Sequence, residues 1–205
     1  HCGQADPPTA VGLPWPLGAF EVDPLVTVTL DTGLMLSLLD RTREATAVEK
    51  ILQWHLEGKV RAYVSNRIFD PDTCDMRDEQ RKEMRMIIEK YDIEIIGSGF
   101  RLGFSRLDGL DKLSGGFTTR NPEEMANFSK IVGKDPTNLP KSSIGNRLSN
   151  KIGDYDALRD HYADKREVFI TLDTKDYLHI TKRAIYFECL GLKIMSPSEF
   201  LEKCS

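Results

Sequence analysis

The apolar residues of this chain fall into short β-branched runs, which alternate with longer segments whose apolar positions recur at helical spacing. The run at residues 25–30, Leu-Val-Thr-Val-Thr-Leu, is bounded by Pro24 and Asp31 and is typical of a buried strand. Similar runs predict strands at residues 60–64, 93–96, 168–171 and 192–195. Helical spacing predicts helices at residues 34–39, 44–57, 76–91 and 175–190. This alternation predicts an α/β fold, namely a three-layer α/β/α sandwich with a central, mainly parallel sheet.

Capping residues mark the ends of several predicted helices. Gly58 comes where a C-cap glycine would end the second of them. Asn121, followed directly by Pro122, predicts the start of another helix. The segment Ser196-Pro-Ser-Glu199 has the pattern of a capping box with Pro at the first helical position, and it predicts a closing helix.

Two segments depart from this alternation. Residues 1–24 contain five of the ten prolines and no Lys or Arg, which predicts an extended N-terminal arm. Residues 97–151 are rich in Gly, Ser, Asn and Pro, and we interpret them as an insertion between core elements. The expected organisation is therefore an arm at 1–24 and one domain at 25–205 that carries the insertion.

Composition narrows the classes of function. The chain has 205 residues, a formal net charge of -4 and a pI of about 5.6, which excludes a general polyanion binder. The insertion is an exception, because residues 120–151 contain six basic and three acidic residues. The four cysteines show no metal-binding spacing, so a reducing cytoplasm is the expected location. No apolar run approaches the roughly 18 residues of a membrane span, so no membrane partner is expected.

Acidic residues follow or precede several predicted strands. In open α/β sheets, ligands bind outside the carboxyl ends of the strands. Carboxylates gathered there repel one another unless a divalent cation neutralises them, and a set without Cys or paired His favours Mg²⁺ or Mn²⁺. The acids placed at this edge are Asp31 after the first strand, Asp70, Asp72 and Asp75 after the second, Asp154 and Asp156 at the expected start of the helix before the fourth strand, and Asp173 and Asp176 after that strand.

Several of these segments, in this order and spacing, resemble the PIN domain family. Its opening strand ends in Asp-Thr or Asp-Ser before a short apolar helix, as at Asp31-Thr32. Asp156-Ala-Leu is similar to the start of its late helix, and Thr171-Leu-Asp173 is similar to its Thr-x-Asp segment. Val64-Ser65 with an acid near Asp70, and residues 191–201, resemble its second segment and its last strand and helix.

The resemblance implies a Mg²⁺- or Mn²⁺-dependent endoribonuclease, a hydrolase that acts on phosphodiester bonds of single-stranded or structured RNA. Asp31, Asp70, Asp156 and Asp173 match the acids that hold the metal. Thr171 and Thr32 match the small hydroxyl residues beside them, and Asp176 joins the expected catalytic set. The basic insertion would then contact RNA phosphates.

Some assignments stay open. The family's second acid is usually Glu, whereas this chain offers Asp70 or Asp72 in an Asp-Pro-Asp context. Either Asp154 or Asp156 is the ligand, with the other one capping the helix. Asp176 is a ligand, a supporting group or a helix residue, and Asp160 is expected on the solvated surface. His161 and His179 are candidates for supporting roles near the site.

The irregular second acid also leaves the function open. One alternative is a catalytically inactive PIN-fold protein that binds nucleic acid or serves as a scaffold. A more distant alternative is an unrelated α/β phosphotransfer or hydrolase fold that uses the same sheet edge. By resemblance, a homodimer and an inhibitory protein partner are further expectations, although toxins of toxin–antitoxin pairs are usually more compact than this chain.

Overall fold

A sheet of five parallel strands lies at the centre of the computed structural model, which describes residues 25–69, 77–96, 122–133 and 146–204. The strands are β1 (Val26–Leu30), β2 (Val60–Ser65), β3 (Glu94–Ile96), β4 (Val168–Ile170) and β5 (Lys193–Met195). The helices are α1 (Thr32–Leu39), α2 (Ala45–Leu56), α3 (Asp78–Lys90), α4 (Pro122–Val132), α5 (Asn146–Ala163), α6 (Ile180–Leu190) and α7 (Pro197–Cys204), with a 3₁₀ turn at Asn66–Phe69. The strand order is β3-β2-β1-β4-β5, which confirms the predicted α/β class and its parallel sheet.

Two hydrophobic cores cover the two faces of the sheet. The first contains buried residues of α1, α2, α3 and α7, and the second contains buried residues of α4, α5 and α6. The central strands divide their side chains between the two cores by the period of two that a strand imposes. In β4, for example, Val168 and Ile170 belong to the first core and Phe169 belongs to the second. Because both faces of the sheet are covered, β4 is apolar and buried throughout.

Two capping predictions are confirmed. Gly58 has φ of 72°, a left-handed conformation that glycine adopts at no steric cost, and its N–H donates to the carbonyl of His55 at 3.0 Å. At the start of α7 the capping box is complete. The Ser196 N–H donates to the Glu199 carboxylate at 2.8 Å, and the Glu199 N–H donates to Ser196 Oγ at 3.2 Å.

The expected start of α5 was wrong. The sequence predicts a helix that begins near Asp154–Asp156, whereas α5 begins at Asn146. Asp154 and Asp156 are therefore interior residues of a helix, and neither is its cap. Asn, Ser and Gly each lower helix propensity by about 1 kcal/mol or less, which does not stop a helix that is supported by the rest of the fold. The helix predicted at 175–190 also begins later, at Ile180.

Some predictions fall on residues that the structure does not describe. They include the N-terminal arm at 1–24, Asp70 and Asp72, and most of the insertion at 97–151. Of that insertion, α4 and the first part of α5 are described. None of the described helices is long and apolar enough to span a bilayer.

His161 lies in the interior between α5 and the sheet. Its side chain is fully buried, its Nδ1 is 2.9 Å from Thr29 Oγ1, and its ring meets the Phe169 ring edge-to-face. Within the described ranges its Nε2 has no hydrogen-bond partner. Burial, aided by the positive charge of Arg166, lowers the pKa of His161 to about 3, so the imidazole is neutral in the folded protein.

This buried imidazole predicts a contribution to acid sensitivity. Below about pH 6.5 the unfolded chain binds a proton at His161 that the folded protein does not bind. The stability that the neutral imidazole contributes is therefore present above pH 6.5 and is lost progressively as the pH falls toward 3, by at most about 1.4 kcal/mol per pH unit. Urea unfolding at pH 7, 6 and 5 measures this slope, and His161→Asn is expected to lose less stability than the wild type over that range.

The matched control is His179→Asn, because His179 is exposed at the start of α6. This control should keep the wild-type slope. The slopes of the variants are compared with that of the wild type because buried carboxylates with raised pKa values change the free energy of unfolding with pH in the opposite direction. An identical slope for His161→Asn and the wild type would contradict the prediction.

Candidate active site

The candidate site lies where the order in which the chain adds strands to the sheet reverses. From β1 the chain proceeds to β2 and β3 on one side, and it later returns to β4 and β5 on the other. The carboxyl ends of β1 and β4 are thus neighbours at a topological switch point, which is the usual place for a ligand in an open parallel sheet. Asp31 follows β1 and Thr171 follows β4, and the Asp31 N–H donates to the Ile170 carbonyl at 3.0 Å. The ladder hydrogen bonds therefore hold these two residues side by side.

A chain of hydrogen bonds fixes the Asp31 carboxylate. The Thr171 hydroxyl donates to Asp31 Oδ2 at 2.6 Å, and the same hydroxyl oxygen accepts from the Asp173 N–H at 3.1 Å. Because its acceptor role is used by Asp173, the hydroxyl proton of Thr171 is directed to Asp31. Thr171 is fully buried and Asp31 is nearly so, which leaves little freedom in this arrangement.

The other oxygen of Asp31 is unsatisfied. Oδ1 is buried and has no hydrogen-bond partner in the described part of the chain. Burial raises the pKa of Asp31, and the negative charge of Asp173 adds to that effect. Hydrogen bonds from Thr171 and from the Thr32 backbone oppose it. A buried carboxylate oxygen without a donor is costly, which points to a positively charged or donating ligand at this position.

Asp154 of α5 is the acid that belongs with Asp31 and Asp173. Burial and, in decreasing order, the negative charges of Asp31, Asp173 and Asp176 together raise the pKa of Asp154 to about 8. Four carboxylates from three separate segments of the chain therefore lie close enough to repel one another. Of the two acids that the sequence left as alternatives, Asp154 is therefore the one whose electrostatic neighbours are Asp31 and Asp173.

Asp156 lies on a different side of α5 from Asp154. Successive residues of an α-helix point about 100° apart around its axis. Two side chains separated by two positions therefore point toward nearly opposite faces of the helix. The Asp156 carboxylate is fully buried and forms an ion pair with Arg159 Nη1 at 3.0 Å. Asp160 pairs with Nη2 of the same Arg159 at 3.2 Å and is 1% exposed, so its expected place on the solvated surface was wrong. Among the described residues, Arg159 is thus a charge partner of both Asp156 and Asp160.

Asp173 and Asp176 shape the turn between β4 and α6. Asp173 Oδ1 accepts from the backbone N–H groups of Lys175 at 2.8 Å and of Asp176 at 2.9 Å. Asp173 therefore ends the strand and orders the turn, and it keeps its second oxygen for other contacts. Asp176 is exposed and forms an ion pair with Lys182 of α6. Its charge still reaches Asp154, which places it at the rim of the cluster.

A pocket of about 330 Å³ opens beside these acids. Asp154, Asp173, Asp176 and Lys182 supply its polar groups, and the other lining residues are Ile131, Val132, Tyr155, Tyr177, Ile185 and Tyr186. None of these apolar and aromatic residues is expected from the sequence to be part of a site. They come from α4, α5, α6 and the turn after β4, and each fits a core pattern locally, so no sequence signal distinguishes them.

Of the remaining candidates, the two histidines lie outside the cluster. His161 contacts Thr29 in the second core, and His179 is exposed at the start of α6. Asp70 and Asp72 lie outside the described residues. Within the described ranges, no three His, Cys, Asp or Glu side chains are already arranged as a metal-binding group.

The chain matches no protein-family model, and a search among curated proteins finds no similar sequence. The functional assignment therefore depends on the site itself.

Proposed function

We propose that this protein is a Mg²⁺- or Mn²⁺-dependent ribonuclease of the PIN type, in which Asp31, Asp154 and Asp173 hold the cation. The observation that carries the proposal is the gathering of carboxylates around the buried Asp31 at the switch point between β1 and β4. An enzyme that needs a cation there has a reason to keep these acids together, whereas burial and mutual repulsion make them unfavourable for stability alone.

The donor set fits a hard divalent cation. Asp31 offers a buried Oδ1 without a hydrogen-bond partner in the described chain, and Asp154 is held among three other carboxylates. Only oxygen ligands are present in the cluster, which favours Mg²⁺ or Mn²⁺ over zinc. When bound, such a cation supplies an activated water for in-line attack on phosphorus and neutralises charge on the phosphoryl oxygen.

The chain's own residues orient the site. Thr171 holds Asp31 Oδ2 by a hydrogen bond of 2.6 Å, so the carboxylate cannot rotate freely. The Asp173 backbone N–H directs that hydroxyl, and the two backbone donors on Asp173 Oδ1 fix the Asp173 side chain in turn. Preorganised ligands of this kind lower the reorganisation needed when substrate binds. The basic residues of the insertion are proposed to contact RNA phosphates, in keeping with their positive charge.

Calorimetric titration with Mn²⁺, together with a cleavage assay on unstructured RNA, tests this proposal. We expect saturable Mn²⁺ binding at or below millimolar concentration, and cleavage that requires Mn²⁺ or Mg²⁺ and stops with EDTA. Binding should also raise the thermal unfolding temperature, because the cation removes repulsion among the carboxylates.

Two other outcomes would reject the ribonuclease. The absence of both Mn²⁺ binding and cleavage would leave a nucleic-acid-binding or scaffold protein with the same fold. Mn²⁺ binding with hydrolysis of small phosphate esters, but none of RNA, would indicate a phosphotransfer or hydrolase fold that uses the same edge.

A further inference from the structure

We propose that the pocket beside the carboxylate cluster binds one unstacked nucleobase of the substrate, next to the phosphate that is cleaved. This inference rests on the proposed function for the identity of the substrate. The pocket itself is observed, and its volume of about 330 Å³ falls at the lower end of the range for small-ligand sites.

The walls of the pocket suit a planar, largely apolar group. Ile131 and Val132 of α4 line one part, and Ile185 and Tyr186 of α6 line another. Tyr155 of α5 completes the aromatic lining. Bases bind proteins by stacking on aromatic rings and packing against apolar side chains, and such contacts tolerate different bases.

Two tyrosine hydroxyls are available to a ligand. Tyr177 and Tyr186 line the pocket and are each 6% exposed, and neither hydroxyl has a hydrogen-bond partner in the described part of the chain. Tyr155 differs, because its hydroxyl is 3.0 Å from Ser129 Oγ. Because these two hydroxyls form no hydrogen bond within the described chain, they can donate to or accept from the polar edge of a ligand in the pocket.

The pocket and the carboxylate cluster share residues. Asp154, Asp173 and Asp176 line the pocket, and they also form part of the cluster that includes Asp31. A nucleotide whose phosphate lies at the cluster therefore has its base within reach of the apolar walls. Because a base enters such a pocket only when it leaves its stack, the site favours unpaired RNA over a duplex.

Binding of free nucleosides tests the pocket without depending on a metal or on cleavage. We expect adenosine and cytidine to bind the metal-free protein in saturation-transfer NMR, with ribose alone showing no binding. Ile185→Asn should weaken nucleoside binding about fivefold or more, because it removes apolar contact at the wall. Ile180→Asn is the matched control, since Ile180 is an exposed isoleucine of the same helix outside the pocket, and it should have no effect.

Either of two results would overturn the proposal. One is equal binding of ribose and the nucleosides, and the other is an equal loss of binding in Ile185→Asn and Ile180→Asn. These results do not depend on catalysis, so the nucleobase pocket and the ribonuclease assignment can fail separately.

Cleavage of RNA with one abasic nucleotide provides the second measurement. When the abasic nucleotide is moved along the strand, one position next to the cut should lower kcat/KM about fivefold or more in the wild type, and the decrease should be smaller in Ile185→Asn. Equal decreases at all positions would contradict a base-binding pocket.

Discussion

Asp31→Asn is expected to reduce Mn²⁺-dependent RNA cleavage by about a thousandfold or more, because a charged metal ligand supplies several kcal/mol of transition-state stabilisation. Folding should be preserved. The asparagine can keep an oxygen for the Thr171 hydroxyl, and the substitution removes a buried negative charge. Circular dichroism and thermal unfolding check the fold, and an RNA cleavage assay at saturating Mn²⁺ measures activity.

Asp40→Asn is the matched control for that experiment. Asp40 ends the same helix that Asp31 begins, and it is exposed. The same change of chemistry should therefore leave cleavage unchanged. If Asp31→Asn retained wild-type cleavage, the assignment of Asp31 as a metal ligand would be lost, and with it the proposal that cleavage takes place at this carboxylate cluster.

The part of the site next to the strands could be predicted from sequence because it depends on local sequence patterns and on the order of the strands. Asp31 and Thr171 each follow a recognisable β-branched or apolar run, and a parallel sheet places the carboxyl ends of its strands at one edge. The switch point between β1 and β4 then needs only the order of the elements. These positions required no knowledge of side-chain packing.

The choice between Asp154 and Asp156 could not be made in the same way. Both lie in α5, and helix geometry sends them in nearly opposite directions. Which of them faces the sheet edge depends on the rotation of the helix about its axis, which is set by long-range packing. The expected start of the helix near these residues was wrong, and so their assumed capping role gave no guide to its rotation.

The residues that line the pocket could not be predicted from sequence, for a different reason. Val132, Tyr155, Tyr177 and Tyr186 come from four segments, and each has an apolar or aromatic side chain that a core also requires. Tyr177 and Tyr186 are distinguished only by hydroxyls that lack a partner in the described chain. That distinction depends on three-dimensional packing, so it has no counterpart in a sequence pattern.

Asp154→Asn is expected to stabilise the metal-free protein and to impair the enzyme. The substitution removes an acid whose ionisation near neutral pH is opposed by burial and by the charges of Asp31, Asp173 and Asp176. The free energy of unfolding without metal should rise by on the order of 1–2 kcal/mol near neutral pH, since one pKa unit corresponds to about 1.4 kcal/mol. The increase in unfolding temperature on adding Mn²⁺ should become smaller, and cleavage should fall by about a hundredfold or more.

Asp156→Asn should have the opposite effect on stability. It removes one of the partners of Arg159, and breaking a buried ion pair costs up to about 3–5 kcal/mol, reduced here because Asp160 still contacts Arg159. Its Mn²⁺-induced increase in unfolding temperature should equal that of the wild type. Urea unfolding without metal and thermal unfolding with Mn²⁺ give both quantities for both variants. If Asp156→Asn lost the Mn²⁺ effect while Asp154→Asn kept it, Asp156 would be the ligand. The two variants thus test whether Asp154 is the proposed metal ligand and Asp156 a structural ion-pair partner, two residues apart in one helix.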